Sequence, residues 1–258
     1  MLTRAQIQRL AQRNGIGLQA QERDYIQHLL LFSLYSRTQI LTFKGGTALR
    51  IVYGGNRYSE DLDFNGPPQT DEVQVAWEQV TAALLDFGVP AQMRNSWLSE
   101  TGFSFDVSYQ GPLYDGRDRS KGKVWVDVNL RQEATETRRE LVSPEYDDLR
   151  PFVVTVLTRE DLLAEKVRAL LVRGKPRDAY DIWLMARQGL VIDQERVDQK
   201  LSLYGLTFTK KGMLVALEQA GMDWERDLRP LLPQLVAWDE VAEQLRHVLI
   251  KEDSPPSE

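Results

Sequence analysis

The chain has no cysteine. Disulfides, thiolate metal sites and cysteine nucleophiles are therefore excluded. The absence fits a reducing compartment, and a cytoplasmic location is the expectation. Histidine is scarce as well: His28 and His247 are the only two. Both fall on helical patterns, where surface or half-buried packing is favoured over a role as general base or ligand. No uninterrupted apolar run reaches the roughly 18 residues of a membrane span. The opening MLTRAQIQRLAQRNG lacks the apolar core of a signal peptide, so no membrane partner is expected. Excess positive charge is also lacking. The net charge of −6 argues against broad coating of nucleic acid but permits a local basic patch. RRE at 138–140 reads as solvated surface, whereas Lys166, Arg168, Arg173, Lys175 and Arg177 form a second basic group.

What is present suffices for a sizeable core. Of 258 residues, 42% are apolar and 27% charged, which is ordinary for one or two globular domains. The pattern predicts helix over about 3–40, with apolar residues three and four apart in YIQHLLLFSL. Residues 41–156 look mixed. Short apolar segments at 41–43, 61–64, 103–109, 124–130 and 152–157 read as strands, a helix is expected over 71–87, and the charged, glycine-containing loop 111–123 reads as a hairpin connection. From 158 onward everything reads as helix. Thr158 caps TREDLLAEKVRALL, and Pro176 suits the first turn of RDAYDIWLMARQ. Further helices are expected at 193–203, 210–219 and 234–249. The expected fold class is α+β: a mixed sheet flanked by helices over 1–156, then a helical domain over 157–250 in intimate contact with it, and a frayed tail at 251–258.

Two short motifs carry chemistry. In LTFKGGTALR, Gly45 and Gly46 permit a tight turn with close backbone approach. Thr47 can cap a helix over Ala48–Tyr53 whose free N–H groups suit a phosphate. Alone this is equally a common helix-capping turn. In SEDLDF, Asp61 and Asp63 point to one side of a strand while Leu62 and Phe64 anchor the other. Paired carboxylates of this kind can hold two Mg2+ ions; the plainer alternative is a solvated edge strand. A third carboxylate, Asp127, shares a strand face with Trp125 and Asn129 in KVWVDVNL. An Asp in such a β-branched run needs a hydrogen bond, a metal or solvent. If the two strands adjoin, three carboxylates converge. Downstream, Lys166 and Arg173 share roughly one helix face, and Asp178 and Asp181 share another. An interhelical salt-bridge network and a lysine reaching a triphosphate are both consistent with that spacing.

The string FKGGTALRIVYGGNRYSEDLDF, with EKVRALLVRGKPRDAYDI downstream, resembles the AbiEii/AbiGii-type toxin nucleotidyltransferases. The resemblance is specific over these two blocks and loose elsewhere. It implies a core like that of the DNA polymerase β-like nucleotidyltransferases, a place in a toxin–antitoxin or phage-defence operon, and a winged-helix antitoxin and repressor as partner. It also implies NTP as substrate, with a tRNA 3′ end or another RNA as acceptor. By the same resemblance, Gly46 and Thr47 match the pair that grips the terminal phosphates, Asp61 and Asp63 the metal-binding pair, Lys166 the lysine near the triphosphate, and Asp178 and Asp181 the acids of the last motif. Asp127 is assigned as the third carboxylate. The long interval between Thr47 and Asp61 suggests that Arg57 and Ser59 close back over the site.

The expectation is thus a Mg2+-dependent nucleotidyltransferase that uses two ions. Gly45, Gly46 and Thr47 would hold phosphates, Asp61 and Asp63 the metals, and Lys166 would offset charge on the leaving group, beside Arg173, Asp178 and Asp181. Asp127 would join Asp61 and Asp63 as a metal ligand and help activate the acceptor. Three alternatives remain: transfer to a protein or small molecule, a two-metal nuclease, and a non-catalytic nucleotide- or partner-binding protein.

Overall fold

A computed structural model describes residues 1–250; the tail 251–258 lies outside the described residues. Two compact units divide at Leu157/Thr158. The first begins with two helices, α1 (Arg4–Asn14) and α2 (Leu18–Tyr35), followed by β1 (Thr42–Lys44), α3 (Gly45–Tyr53), β2 (Asp61–Asn65) and α4 (Thr70–Ala83). It ends with β3 (Ala91–Leu98), β4 (Gly102–Tyr109), β5 (Gly122–Asn129), β6 (Thr137–Val142) and β7 (Phe152–Leu157).

The strands form one mixed sheet in the order β3-β4-β5-β2-β1-β7-β6. β2 sits centrally, antiparallel to β1 and parallel to β5. The α+β class expected from the sequence is what forms. Alternation decides the sheet's two faces. Phe43, Phe64, Val128 and Phe103 occupy register-paired positions and are buried. Trp77 of α4 is fully buried against Phe64 and Phe105, with ring centroids 5.4 and 5.3 Å away. Phe32 of α2 meets Phe152 of β7 on the same side at 5.6 Å. Helices α2 and α4 thus cover one face, and the carboxylates of β2 take the other.

Helix α2 is buried nearly all round, including Gln21, Glu22, Asp24, Gln27 and His28. Polar groups at such depth require partners. The Asp24 carboxylate accepts from Arg50 Nε of α3 and from the Tyr146 hydroxyl, each at 2.6 Å. Tyr25 donates to Asp148 at 2.6 Å, and the Glu22 carboxylate accepts from the Leu113 N–H at 2.6 Å. His28 Nδ1 lies 2.7 Å from the Asp24 carbonyl, a packing role. Burial would lower the Arg50 pKa, but the Asp24 charge overrides it, so the guanidinium sits above its ordinary value. Arg50 also lies 3.4 Å over the Tyr58 ring, and Tyr58 is 3% exposed. Tyr58 is therefore part of the packing and presents no ring to a base.

The second unit is helical: α5 (Arg159–Arg173), α6 (Pro176–Arg187), α7 (Gln194–Ser202), α8 (Lys210–Met222), α9 (Trp224–Leu228) and α10 (Trp238–Ile250). Thr158 caps α5 by accepting from the Asp161 N–H, and Pro176 opens α6. No described helix is long and apolar enough to cross a membrane. Two strands went unread in the sequence, the sheet edges β3 and β6, and the Arg138–Arg139–Glu140 run, with both arginines exposed and Glu140 half-buried, proves to lie on β6. Edge strands carry polar residues on both faces and so lack the two-residue apolar period.

Candidate active site

The site is built on β2. Asp61 and Asp63 are half-buried on its polar face, while Leu62 and Phe64 are fully buried on the other. Parallel pairing with β5 sets Asp63 opposite Asp127 and Asp61 opposite Trp125. Directly paired residues point to the same face, with strands about 4.8 Å apart. The three carboxylates therefore occupy neighbouring positions on one sheet face. The row continues outward: Asp127 pairs with Ser104 of β4, and on the other side Asp63 pairs with Lys44 of β1.

Lys44 leads straight into the double-glycine turn. Gly45 has φ +76°, a left-handed conformation, and a side chain there would place its Cβ 2.0 Å from Asp63 Oδ2. Only glycine permits both the turn and the contact. At Gly46 a Cβ would lie 2.5 Å from Arg57 Nη2 and 3.0 Å from Ser59 Oγ. The 54–60 segment is thus folded back onto the turn, with Arg57 only 3% exposed. Buried Gln27 of α2 supports that segment from beneath, its Nε2 donating to the Ser59 carbonyl at 3.2 Å and lying 3.4 Å from the Asp61 carbonyl.

Thr47 corrects a detail of the sequence reading. It does not cap a helix starting at Ala48. The helix starts three residues earlier, at Gly45, with Lys44 as N-cap. Thr47 is completely buried, and its hydroxyl donates to the Asp61 carbonyl. The hydroxyl ties α3 to the carboxylate strand, and the first backbone N–H groups of α3, like those of any helix, have no partner within the helix.

Two further polar residues belong to this face and were missed from the sequence. Ser104 donates to Asp127 Oδ1. Asp106, two residues on, is buried and bonded to Lys123 Nζ and Asn95 Nδ2, each at 2.8 Å. The alternation of FSFDVSY held the signal, since Ser104 and Asp106 interleave with buried Phe103, Phe105 and Val107. Oxygen donors on the carboxylate row suit a hard divalent cation such as Mg2+. Among the described residues, no three Asp, Glu or His side chains are drawn together as a finished cage. The fit therefore rests on donor type and shared face.

Lys166, Arg173, Asp178 and Asp181 come together within the helical unit. Lys166 Nζ lies 2.7 Å from Asp181 Oδ2 and 3.4 Å from Asp178 Oδ1. Arg173 grips Asp178 with two hydrogen bonds, Nε to Oδ2 at 2.7 Å and Nη2 to Oδ1 at 2.8 Å. This is the interhelical ion-pair arrangement between α5 and α6. Asp178 is fully buried, and burial alone would raise its pKa. The Lys166 charge and the Arg173 bonds outweigh that and hold it below the ordinary carboxylate value.

Two outcomes follow. Because its folded pKa is depressed, the Asp178 contribution is fully present above its unfolded pKa of about 3.9 and is lost as pH falls through the folded value. Asp178→Asn is expected to cost about 2–3 kcal/mol at neutral pH, since Arg173 is half-exposed and Lys166 keeps Asp181. Urea titrations should show the gap from wild type narrowing below about pH 4. Gly45→Ala should cost about 1–2 kcal/mol for the left-handed conformation and push the Asp63 carboxylate aside. Nucleotide turnover should then fall by more than the melting temperature explains, about 100-fold for a displacement of 1 Å or more.

The pattern defining the nucleotidyl transferase AbiEii toxin family of type IV toxin–antitoxin systems matches residues 29–244. No curated protein matches the chain by sequence. Among solved structures, MenT4, a nucleotidyltransferase toxin from Mycobacterium tuberculosis H37Rv, is similar in fold, with a TM-score of 0.66 and 20% identity over 98% of this chain and 91% of that one. JHP933 from Helicobacter pylori is similar with a TM-score of 0.57 and 18% identity, covering 91% of this chain and 92% of that one. With the family pattern spanning most of the chain and a glycine turn set against paired carboxylates, the protein belongs to the AbiEii nucleotidyltransferase toxin family and is a nucleotidyltransferase.

Proposed function

We propose that the enzyme transfers NMP from an NTP to the 3′ hydroxyl of an RNA, tRNA in particular, in a reaction that depends on Mg2+. The observation carrying this reading is the placement of Asp61, Asp63 and Asp127 on one face, with the Gly45–Gly46 turn against Asp63. Asp61 and Asp63 would hold the metal. Bound there, it would neutralise phosphate charge and acidify the acceptor hydroxyl.

The chain's own groups have distinct tasks. The N–H groups opening α3 donate to the β- and γ-phosphate oxygens. Arg57 and Ser59 lie against Gly46 and are proposed to close the phosphate side of the pocket. The acceptor oxygen attacks the α-phosphorus, forming the new P–O bond as the α–β bridge breaks and pyrophosphate leaves. Asp127 takes the hydroxyl proton, with Ser104 Oγ orienting its carboxylate. Blocking tRNA 3′ ends would halt aminoacylation and so account for toxicity. Such an acceptor places the enzyme's work in the cytoplasm, and the proposed antitoxin is a winged-helix repressor.

The test is incubation with total RNA, Mg2+ and each α-labelled NTP in turn. Label should appear at tRNA 3′ ends with equimolar pyrophosphate, and Asp63→Ala should lower the rate by at least 1000-fold, on the order of the largest electrostatic losses at such sites. Cleaved RNA without pyrophosphate, or normal turnover by Asp63→Ala, would overturn the proposal.

A further inference from the structure

We propose that Trp97 and Trp125 form a stacking platform for the unpaired bases of the RNA acceptor, on the β3–β5 side of the carboxylates; this rests on the nucleotidyl-transfer reading above. Trp97 lies on the edge strand β3, three residues after Arg94. Regular alternation would send two residues three apart to opposite faces. A β-bulge between them changes that: Arg94 pairs with Asp106, and Trp97 pairs with Ser104. Ser104 and Asp106 are two apart on β4 and share a face. The bulge therefore turns Trp97 onto the face of Ser104, Asp127 and Asp63. Bulges re-aim side chains in this way at sheet edges near active sites.

The bulge is actively held. Asn95, within it, has φ +52° and is the only non-glycine with positive φ among the described residues. Its Nδ2 donates to buried Asp106 at 2.8 Å. A left-handed residue on a strand costs energy, and here the outcome is a tryptophan left 63% exposed. Trp125, 36% exposed, stands opposite Asp61 in the parallel register and opposite Asp106 on its other side. Two exposed indoles thus share one face, one beside a carboxylate and one two strands farther out. The basic groups nearby are Arg94, exposed on the same face, and Lys123, whose ammonium holds Asp106 at 2.8 Å.

The occupant follows from the order across the sheet. The phosphate-binding turn leaves β1, and the tryptophans lie on β5 and β3. β1 and β3 are four strand spacings apart, about 19 Å. An NTP with its phosphates at Gly45 and Gly46 leaves Trp97 for another molecule. A single strand entering over β3 would stack successive bases on Trp97 and Trp125 and deliver its 3′ hydroxyl between Asp127 and Asp61. Stacking is indifferent to sequence, because every base has a π-face. The platform accordingly selects an unpaired 3′ end, with the duplex portion of the acceptor held elsewhere.

The test separates this platform from the reaction itself. Binding of a 5′-fluorescent single-stranded RNA is measured for wild type, Trp97→Ala, Trp125→Ala and Trp97→Phe, together with KM for tRNA and for NTP. Both indoles are surface groups, so the variants should fold, as checked by circular dichroism. Each alanine variant should weaken RNA binding and raise the tRNA KM by about tenfold, the size of one lost base–aromatic stack. NTP KM should stay within twofold, and Trp97→Phe should retain most of the affinity. Unchanged RNA affinity in both alanine variants would overturn the platform, as would a loss confined to NTP KM. Transfer to tRNA with wild-type KM in both would overturn the platform while upholding the reaction. Tryptophan-dependent RNA binding with no transfer by wild type would uphold the platform and overturn the reaction.

Discussion

The contact between Gly45 and Asp63 is the constraint on which the site depends. A backbone without a side chain lies where any Cβ would collide with a carboxylate oxygen. That closeness is possible only because β1 and β2 pair with Lys44 opposite Asp63, so that the chain leaving β1 turns over the acid. The turn then runs directly into α3. Thr47 locks the arrangement by bonding the backbone of β2, and Gln27 holds the strand's entrance from the buried side.

The same strand uses its two faces for opposite purposes. Leu62 and Phe64 lie in an aromatic layer with Phe43 and Trp77, burial that favours one register strongly. A slip by one residue would bury both carboxylates and expose both apolar residues. The core therefore fixes the position of Asp61 and Asp63, and through the parallel pairing with β5 it fixes Asp127 too. Rigid strands suit this task, since reacting groups must be held within a fraction of an ångström. The left-handed Asn95 adds a second local device, setting which face the β3 edge shows.

Much of this was legible in the sequence, and the reasons differ by element. DLDF and KVWVDVNL carry the two-residue period in plain form, and their strands form where that period predicts. Thr158 and Pro176 mark helix starts through local chemistry alone. The polar burial of α2 was not legible, because Asp24 and Gln21 find partners in Arg50, Tyr58 and Tyr146, far away in the chain. Thr47 was misread for a related reason: a hydroxyl after two glycines suits a cap, and its bond to Asp61 requires knowing how β2 returns. β3 escaped because MRNSW has no regular period, and the bulge that interrupts the period is what places Trp97. The pairing of Lys166 and Arg173 with Asp178 was foreseen as one of two arrangements consistent with helical spacing.

The central claim is that the β2 carboxylates are the metal-binding half of a nucleotide site. Titration of Mn2+, followed by electron paramagnetic resonance in the presence of a non-hydrolysable NTP analogue, tests it without any acceptor. Wild type should bind Mn2+ with an affinity that rises when the analogue is present, and Asp63→Asn should lower that affinity at least tenfold while circular dichroism is unchanged. Equal Mn2+ binding by wild type and the folded Asp63→Asn protein would contradict the account.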